Sequence, residues 1–353
     1  MKTTLLIGII AITVFGVSCK EQKKKTGTNL IIGQGKMPHL AIDGAGDFYI
    51  VYGTGDSILY SSSNDKGESF SAPRLIARLA QLSASAMRGP QIAATTNTVV
   101  ILACSKSGNI FSYTKDATGN WSLPVKVNDV DTVAKEQFLA LSADDNHVYA
   151  VWLDLRGNKR NKIIGAGSTD GGKTWSKNVL VYASPDSSVC ECCKPCVAVR
   201  GENVYVMFRN WLHGNRDLYL IQSGNGGENF GEAKRLGDNS WALNGCPMDG
   251  GGLAISSNGV PQTVWRRRDS IYASAPGQPE TAIATGRDCT VETVNNKNVY
   301  AWTQNGEIVI RKPQGMKISL GKGQLPILKR INDDHVLCVW ENDNQIHTQI
   351  VSL

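Results

Sequence analysis

Ser168-Thr169-Asp170-Gly171-Gly172-Lys173-Thr174-Trp175 is the stretch that decides the fold. Its order of residues predicts a strand that ends at an Asp, a tight turn, and a Trp that returns to a core. The Asp carboxylate can accept hydrogen bonds from the backbone N–H groups of its own turn, and Gly171 and Gly172 can supply the positive φ angles that a tight turn needs. The segment therefore predicts a turn between two strands that stabilises itself.

The same segment recurs along the chain. Residues 63–70 are a close copy, residues 223–230 have Asn in place of the Asp, and residues 114–121 are a weaker copy. The shared pattern, S-x-D-x-G-x-x-W/F, resembles the Asp box (BNR repeat) of β-propellers, of which the sialidases are the best-known members. The resemblance implies a sialidase-like propeller of six blades, in which the Asp boxes are structural turns.

Units of β-branched and aromatic runs, separated by Gly, Asn and Asp, follow one another along the rest of the chain. Their most recognisable runs are the second ones, at residues 48–52, 99–103, 148–152, 204–208, 262–265, 299–302 and 336–340. This spacing, with no long helical pattern, predicts an all-β fold, a β-propeller of four-stranded antiparallel blades. The number of units predicts seven blades, whereas the family resemblance implies six.

The two ends of the repeated region complement each other. The last unit supplies only three runs, at residues 326–331, 335–340 and 346–351, and residues 29–32 form a spare strand at the other end. We expect the spare strand to complete the last blade, because a closed ring leaves no exposed sheet edge. Residues 29–353 are therefore predicted to form one propeller domain.

The N-terminus has the pattern of an export signal. Lys2 is followed by an apolar run at residues 5–17 and then by Ser18-Cys19. A small residue before a Cys is typical of a lipoprotein signal at residues 1–18, with Cys19 as the lipidated first residue of the mature chain. The polar, basic stretch at residues 19–28 predicts a flexible tether. The expected location is the bacterial cell envelope, periplasmic or outer-surface, with the lipid anchored in a membrane.

The charge of the chain argues against a nucleic-acid partner. The formal net charge is +6, and much of the excess lies in Lys2 and in the four Lys residues of the tether. The repeated region has no basic stripe with interleaved aromatic residues, which is the pattern of a nucleic-acid-binding surface.

Propeller topology places two sets of loops on one face, which we call the upper face. These are the loops that lead into the innermost strands and the loops that leave the second strands, whereas the Asp boxes lie on the opposite, lower face. In units four to six the first set is rich in sulfur, with Cys190, Cys192, Cys193, Cys196, Cys246, Met248 and Cys289. We expect these residues to converge near the axis, and we expect Cys104 and Cys338, within second strands, to be inert core thiols.

Three interpretations of this convergence are open. Exported proteins form disulfides, although the adjacent Cys192 and Cys193 cannot easily bond to each other. Thiolates with the Met248 thioether would suit copper(I), and the pair Cys193 and Cys196 would suit zinc. Redox or nucleophilic thiol chemistry is the third possibility.

The loops that leave the second strands are charged and contain two candidate ligand-rim residues, Trp211 and His213. The sialidase resemblance implies three arginines on a substrate carboxylate, a Tyr nucleophile activated by a Glu, and an Asp as general acid/base. Candidates for the arginines and carboxylates are Asp154, Asp249, Arg209, Arg216, Arg266 and Arg287. The arginine expected at the start of the first blade is missing, because that place has Lys36-Met37-Pro38, and no Tyr–Glu pair follows from a motif.

Three functional hypotheses follow. The chain is an envelope protein that binds a ligand or a soft metal, copper or zinc, at a Cys/Met-rich centre of the upper face. Alternatively, it is a sialidase-type glycoside hydrolase that acts on acidic sugars, or a disulfide-braced propeller that binds another envelope protein.

Overall fold

The computed structural model of the protein describes residues 27–186 and 188–353. All regular structure within these ranges is β-strand, which confirms the predicted all-β fold. Neither range contains a helix long and apolar enough to cross a membrane. The predicted signal at residues 1–18, the lipidated Cys19 and most of the predicted tether lie outside the described residues.

Seven antiparallel sheets, the blades of a β-propeller, follow one another along the described chain after β1 (Leu30–Gln34). The first three blades are β2 (Lys36–Ile42), β3 (Phe48–Thr54), β4 (Ser57–Ser63) and β5 (Arg74–Arg78); β6 (Gln91–Ala94), β7 (Val99–Cys104), β8 (Ile110–Lys115) and β9 (Val125–Lys126); and β10 (Leu139–Asp144), β11 (His147–Asp154), β12 (Lys162–Ser168) and β13 (Val179–Tyr182).

Blade four has one additional short strand, β14, which pairs with β16. Its strands are β14 (Ser188–Val189), β15 (Cys196–Arg200), β16 (Asn203–Leu212), β17 (Asn215–Ser223) and β18 (Lys234–Arg235). The last three blades are β19 (Gly252–Ile255), β20 (Pro261–Arg267), β21 (Ser270–Ser274) and β22 (Thr281–Thr285); β23 (Arg287–Val294), β24 (Lys297–Gln304), β25 (Glu307–Arg311) and β26 (Lys317–Lys322); and β27 (Gln324–Asn332), β28 (His335–Asn342) and β29 (Gln345–Ser352).

The ring closes between the two ends of the described chain. β1 pairs antiparallel with β29, with Leu30 opposite Thr348, and the sheet order of the last blade is β1, β29, β28, β27. The predicted closing strand and the seven blades counted from the units are therefore confirmed, and the six blades implied by the family resemblance are wrong. Each unit forms one sheet, and the N-terminal strand supplies the fourth strand that the last unit lacks.

The core lies mainly between neighbouring blades. Trp152, Trp302 and Trp340, on the second strands of blades three, six and seven, have 0% relative exposure. Trp152 belongs to a cluster that also contains Leu102 of blade two, so the apolar face of one blade is covered by the next. Full burial of a large apolar side chain contributes about 1.5–3 kcal/mol. Packing between blades therefore holds the ring together.

The Asp box at residues 168–175 folds as predicted. Asp170 Oδ1 accepts hydrogen bonds from Ser168 Oγ at 2.8 Å and from the Thr174 N–H at 2.9 Å. Gly171 and Gly172 have φ angles of +74° and +85°. The turn between β12 and β13 is thus stabilised by its own side chains.

The Asp box at residues 168–175 also packs on the preceding blade. Trp175 Nε1 donates to Ser112 Oγ of blade two at 2.9 Å. In the copy at residues 223–230, Asn225 takes the role of the Asp and accepts a hydrogen bond from Ser223 Oγ at 2.7 Å. The Asp boxes therefore have a structural role on the lower face, and the loops that differ between blades lie on the upper face.

Candidate functional site

The β16–β17 hairpin of blade four supports the cysteine-rich loop. β15 pairs with residues 203–207 of β16, and the rest of β16 continues beyond this pairing to Leu212. There β14 joins it, with Ser188 opposite Trp211. The Cys190 N–H then donates to the Arg209 carbonyl at 3.0 Å. The first cysteine of the loop is thus attached to the backbone of β16.

Three cysteine side chains meet in this loop and form what we call the sulfur cluster: Cys190, Cys192 and Cys193. Their Sγ atoms all lie within 4.8 Å of one another, and all three residues are buried. Cys190 Sγ is 3.4 Å from Cys193 Sγ and 3.7 Å from Cys192 Sγ. Met248 packs against the cluster from the loop that leads into blade five. The structure therefore unites four of the predicted sulfur residues.

A disulfide joins Cys192 to Cys246, across 54 residues of sequence. It connects the loops that lead into blades four and five. Cys190, Cys193, Cys196 and Cys289 are free thiols, as are the two strand residues Cys104 and Cys338. A disulfide and free thiols thus occur side by side in these loops.

Arg216 lies against the sulfur cluster and favours thiolate there. Its Nη1 donates to Cys190 Sγ at 3.0 Å, its guanidinium is 3.3 Å from a carboxylate oxygen of Glu191, and it stacks 4.7 Å from the Trp211 ring centre. The hydrogen bond between Cys190 and Cys193, with the positive charges of Arg216 and Arg209, lowers the pKa of Cys190 to about 7. Burial raises the pKa of Cys193. These surroundings therefore favour the thiolate form at Cys190 and the thiol form at Cys193.

Arg209 is a buried residue that connects loops of the upper face, with 1% relative exposure. Its guanidinium donates to the carbonyl oxygens of Arg216 at 2.8 Å, Arg266 at 2.9 Å and Asp249 at 3.4 Å. Asp249 is also buried, and its carboxylate accepts hydrogen bonds from the N–H groups of Gly251 and Asp288. Arg266 Nε lies 3.9 Å from Asp249 Oδ2. These candidates hold loops of blades four, five and six together.

The other candidates on the upper face lie outside the sulfur cluster. Asp154 is buried and bonds to Trp152 Nε1 at 2.8 Å and to the Arg156 guanidinium at 2.9 Å. His213 is 80% exposed at its side chain and lies 3.4 Å from an Asp186 carboxylate oxygen. Arg287 is half exposed beside Asp288. Trp211 is half-buried, and the Arg216 guanidinium covers its ring.

Cys196 and Cys289 lie on a second feature, a cavity of about 370 Å³ on the propeller axis that we call the central cavity. The innermost strands of all seven blades contribute to its wall. Cys196 Sγ is 3.4 Å from the Gly251 carbonyl oxygen, and Cys289 packs with apolar residues of blades five and six. These two thiols therefore face a different space from that of the sulfur cluster.

Charged residues that the sequence did not single out also line the central cavity. Lys194 Nζ donates to Gln91 Oε1 at 2.7 Å, and burial lowers the pKa of Lys194 to about 8. Burial, with the charges of Lys194 and Lys329, lowers the pKa of His39. Burial and the nearby Asp249 raise the pKa of Asp288. Lys194 adjoins Cys193 in sequence, but its side chain lines the central cavity and not the sulfur cluster. The sequence alone does not show this difference.

No protein-family model matches the sequence, and no curated protein matches it. Solved structures do resemble the fold. A lectin from Burkholderia pseudomallei matches with a TM-score of 0.65 at 9% identity, over 90% of this chain and 96% of the lectin.

Two enzymes show the same similarity of fold. An ulvan lyase, a polysaccharide lyase, matches with a TM-score of 0.58 at 12% identity, over 93% of this chain and 96% of the lyase. An α-L-arabinofuranosidase of Fusarium graminearum matches with a TM-score of 0.55 at 14% identity, over 93% of this chain and 98% of that chain. At such identities the similarity shows the β-propeller fold, and membership of the sialidase family is not shown.

Proposed function

We propose that this protein is an envelope-bound β-propeller that binds one soft metal ion at the sulfur cluster, copper(I) in preference to zinc. The supporting observation is the convergence of three buried Sγ atoms within 4.8 Å. A tetrahedral site with metal–sulfur bonds of about 2.3 Å places its sulfurs about 3.8 Å apart. The Cys190–Cys192 and Cys190–Cys193 separations of 3.7 and 3.4 Å are close to that value. Small side-chain movements would bring the sulfurs around one ion.

The donor set favours copper(I). The cluster offers the free thiols of Cys190 and Cys193, a third from Cys192 when its disulfide is reduced, and the thioether of Met248 packed beside it. Thiolate and thioether are soft ligands that select copper(I), whereas zinc sites usually add imidazole or a fourth thiolate. Zinc is therefore the second candidate and needs Cys246 as a further ligand.

The surroundings also compensate the charge of bound thiolates. Metal ligands must be deprotonated, and burial of thiolates without a counter-charge is costly. Arg216 donates directly to Cys190 Sγ, and the charge of Arg209 favours the thiolates of both Cys190 and Cys193. Two buried guanidinium groups thus stabilise a negatively charged metal–thiolate centre.

Titration of the protein with its Cys192–Cys246 disulfide reduced, with copper(I) under anaerobic conditions and in competition with a chromogenic chelator, tests the proposal. We expect about one copper(I) per chain and a loss of at least tenfold in affinity in Cys190→Ser, because one thiolate is missing. Cys338→Ser is the matched control, since Cys338 is a buried thiol of β28 outside the cluster. Equal affinity of the Cys190 and Cys338 variants would refute the proposed site.

We further propose that the chain is exported and lipidated at Cys19. The support is the sequence pattern of residues 1–19. Membrane fractionation of cells that express the full chain should place it in the envelope membranes, and Cys19→Ser should release it to a soluble fraction. Retention of the variant in the membrane would refute lipid anchoring.

A second proposal is a carbohydrate ligand in the central cavity. Its volume of about 370 Å³ lies within the usual range of ligand pockets, and the lectin, lyase and arabinofuranosidase share the fold. A sialidase-type reaction is less favoured, because the guanidinium groups of Arg209 and Arg216 are already used on backbone carbonyls, Cys190 and Glu191. A glycan array tests binding, and a fluorogenic sialoside tests hydrolysis. Binding without hydrolysis is the expected result, and release of the fluorophore would restore the sialidase hypothesis.

A further inference from the structure

The Cys192–Cys246 disulfide connects the sulfur cluster to the protein surface. Cys246 is an exposed residue, whereas its disulfide partner Cys192 has 6% relative exposure. Cys192 Sγ is 3.7 Å from Cys190 Sγ, and Cys190 Sγ is 3.4 Å from Cys193 Sγ. The disulfide therefore has one sulfur on the solvent side and one within the sulfur cluster.

We propose that this disulfide is the gate of the sulfur cluster. Thiol–disulfide exchange at Cys246 with a dithiol reductant opens it and frees Cys192 as the third thiolate of the cluster. The exchange itself stands on the disulfide between the exposed Cys246 and the buried Cys192, and its consequence for metal binding rests on the function proposed above. The partner class is a dithiol, a small molecule or a protein with two neighbouring cysteines.

The exchange balances in two steps. A thiolate of the reductant attacks Cys246 Sγ, the Cys192–Cys246 bond breaks, and Cys192 leaves as a thiolate. The second thiol of the reductant, as thiolate, then attacks its partner sulfur in the mixed disulfide, and Cys246 leaves as a thiolate. The reductant becomes a disulfide and loses two electrons and two protons, while the protein gains two electrons and its new thiolates take up protons or bind the ion.

Access sets the direction of attack. Exchange depends on which sulfur the incoming thiolate can reach and on how well the other sulfur leaves. The Cys246 end is exposed together with its neighbours Asn244 and Gly245, whereas Cys192 is enclosed by Cys190, Cys193 and Met248. The reductant therefore meets Cys246 first, and the leaving sulfur is the buried one.

The interior of the cluster is suited to receive the leaving thiolate. The Arg216 guanidinium donates to Cys190 Sγ, which lies 3.7 Å from Cys192 Sγ. Arg216 is buried, with 4% relative exposure. Its Nε is a buried donor without a hydrogen-bond partner among the described residues. An unpaired buried donor is costly, so additional negative charge beside this guanidinium is favourable.

A disulfide that only braced two loops would behave differently. Both Cys246→Ser and Cys192→Ser remove the bond, so a structural brace predicts the same result for both variants. The gate predicts opposite results, because the first variant leaves the cluster with a free Cys192 and the second leaves it without that sulfur. The two variants are matched in the loss of the bond and in the size of the change.

The experiment follows two separate readouts on the full-length, oxidised protein. Differential alkylation with mass spectrometry measures the Cys192–Cys246 bond in native buffer with millimolar dithiothreitol, and chelator competition measures copper(I) after anaerobic removal of the dithiothreitol. We expect the bond to open without denaturant and copper(I) affinity to rise at least tenfold. Cys246→Ser should show the high affinity without dithiothreitol, and Cys192→Ser should stay at the low affinity with it.

The outcomes separate this inference from the proposed function. A bond that stays closed until the protein is denatured, or equal copper(I) affinities of Cys246→Ser and Cys192→Ser, overturns the gate while the Cys190 site can still bind metal. Absence of copper(I) binding in the reduced protein and in both variants overturns the proposed metal function. In that case alkylation of the wild-type protein alone decides whether the exchange occurs.

Discussion

The two faces of the propeller are built from contacts of very different range. On the lower face, Asp170 accepts its hydrogen bonds from residues within four positions of it. On the upper face, Arg209 donates to carbonyls 7, 40 and 57 positions away. A turn that depends only on its own residues can be repeated in blade after blade, whereas a site assembled from three blades occurs where those blades meet. The difference explains why repeated sequence marks the scaffold and unrepeated sequence marks the candidate site.

The largest expected effect is on the upper face, in Arg209→Met. The change keeps much of the side-chain volume but leaves three buried carbonyl oxygens without their donor. We expect the free energy of unfolding to fall by about 3–5 kcal/mol, measured by urea denaturation. Arg74→Met, at an exposed position of β5, is the control and should change it by less than about 0.5 kcal/mol. A loss below about 1 kcal/mol in Arg209→Met would contradict the long-range role of this residue.

The second-largest expected effect, in Gly227→Ala, tests how an Asp-box turn of the lower face packs against the neighbouring blade. A Cβ at Gly227 would lie 2.0 Å from Tyr149 Cε2, and the φ angle there is +87°. Gly46 has a similar φ of +90° but no atom within 4 Å of an added Cβ. Gly227→Ala should therefore cost about 3 kcal/mol and Gly46→Ala about 1 kcal/mol in urea denaturation. Equal costs would mean that backbone strain alone, and not blade packing, selects Gly in the Asp box.

A pH experiment compares a long-range carboxylate with a local one. The ion pair with Arg267, at 2.5 Å, lowers the pKa of Glu280 to about 2. Because this folded-state pKa lies below its ordinary value, the stabilisation is complete above about pH 4.5 and is lost as the pH falls to about 2. Wild-type protein should lose about 2 kcal/mol more than Glu280→Gln across this window, measured by urea denaturation at each pH.

Asp65 is the local counterpart. Hydrogen bonds from Ser69 and Ser63 lower the pKa of Asp65 to about 2, but its carboxylate is exposed to solvent. Between about pH 4.5 and about 2, Asp65→Asn should therefore change the free energy of unfolding less than Glu280→Gln does, because water screens an exposed carboxylate. A larger change in the free energy of unfolding for Asp65→Asn than for Glu280→Gln would contradict this expectation.

The smallest expected effect is Asp170→Ala. The change removes the acceptor of the Lys173 and Thr174 N–H groups, which water can replace because the turn is exposed. We expect a loss of about 1 kcal/mol in urea denaturation and no change in copper(I) affinity. A changed affinity would show that the lower face influences the sulfur cluster.

Much of the fold was predictable because its signals are local and repeated. The Asp boxes, the second strands and the spare strand at residues 29–32 led to seven blades and to the pairing of β1 with β29. The family resemblance was less informative than the count of units, because an Asp box marks a turn within one blade and carries no information on how many blades close the ring.

The site was predictable only in part. The sequence indicated that Cys190, Cys192, Cys193 and Met248 meet, but it also grouped Cys196 and Cys289 with them, and these two line the central cavity. Arg209 and Arg216 were named as candidates for arginines that bind a substrate carboxylate, and they are buried, with 1% and 4% relative exposure. Alternation along a strand shows that a side chain leaves the sheet plane, but not which neighbouring loop will cover it.

The amino-acid sequence by itself determined the strands, the Asp-box turns and the number of blades, because these depend on periodicity, on turn residues and on hydrogen bonds within a few positions. The tertiary structure alone decided which cysteines pair, which remain thiols and which face the axis. The pairing and the orientation of these cysteines depend on loops of blades four, five and six, which approach one another only after the ring has closed. The Cys192–Cys246 bond spans 54 residues, and no local pattern specifies a contact of that range.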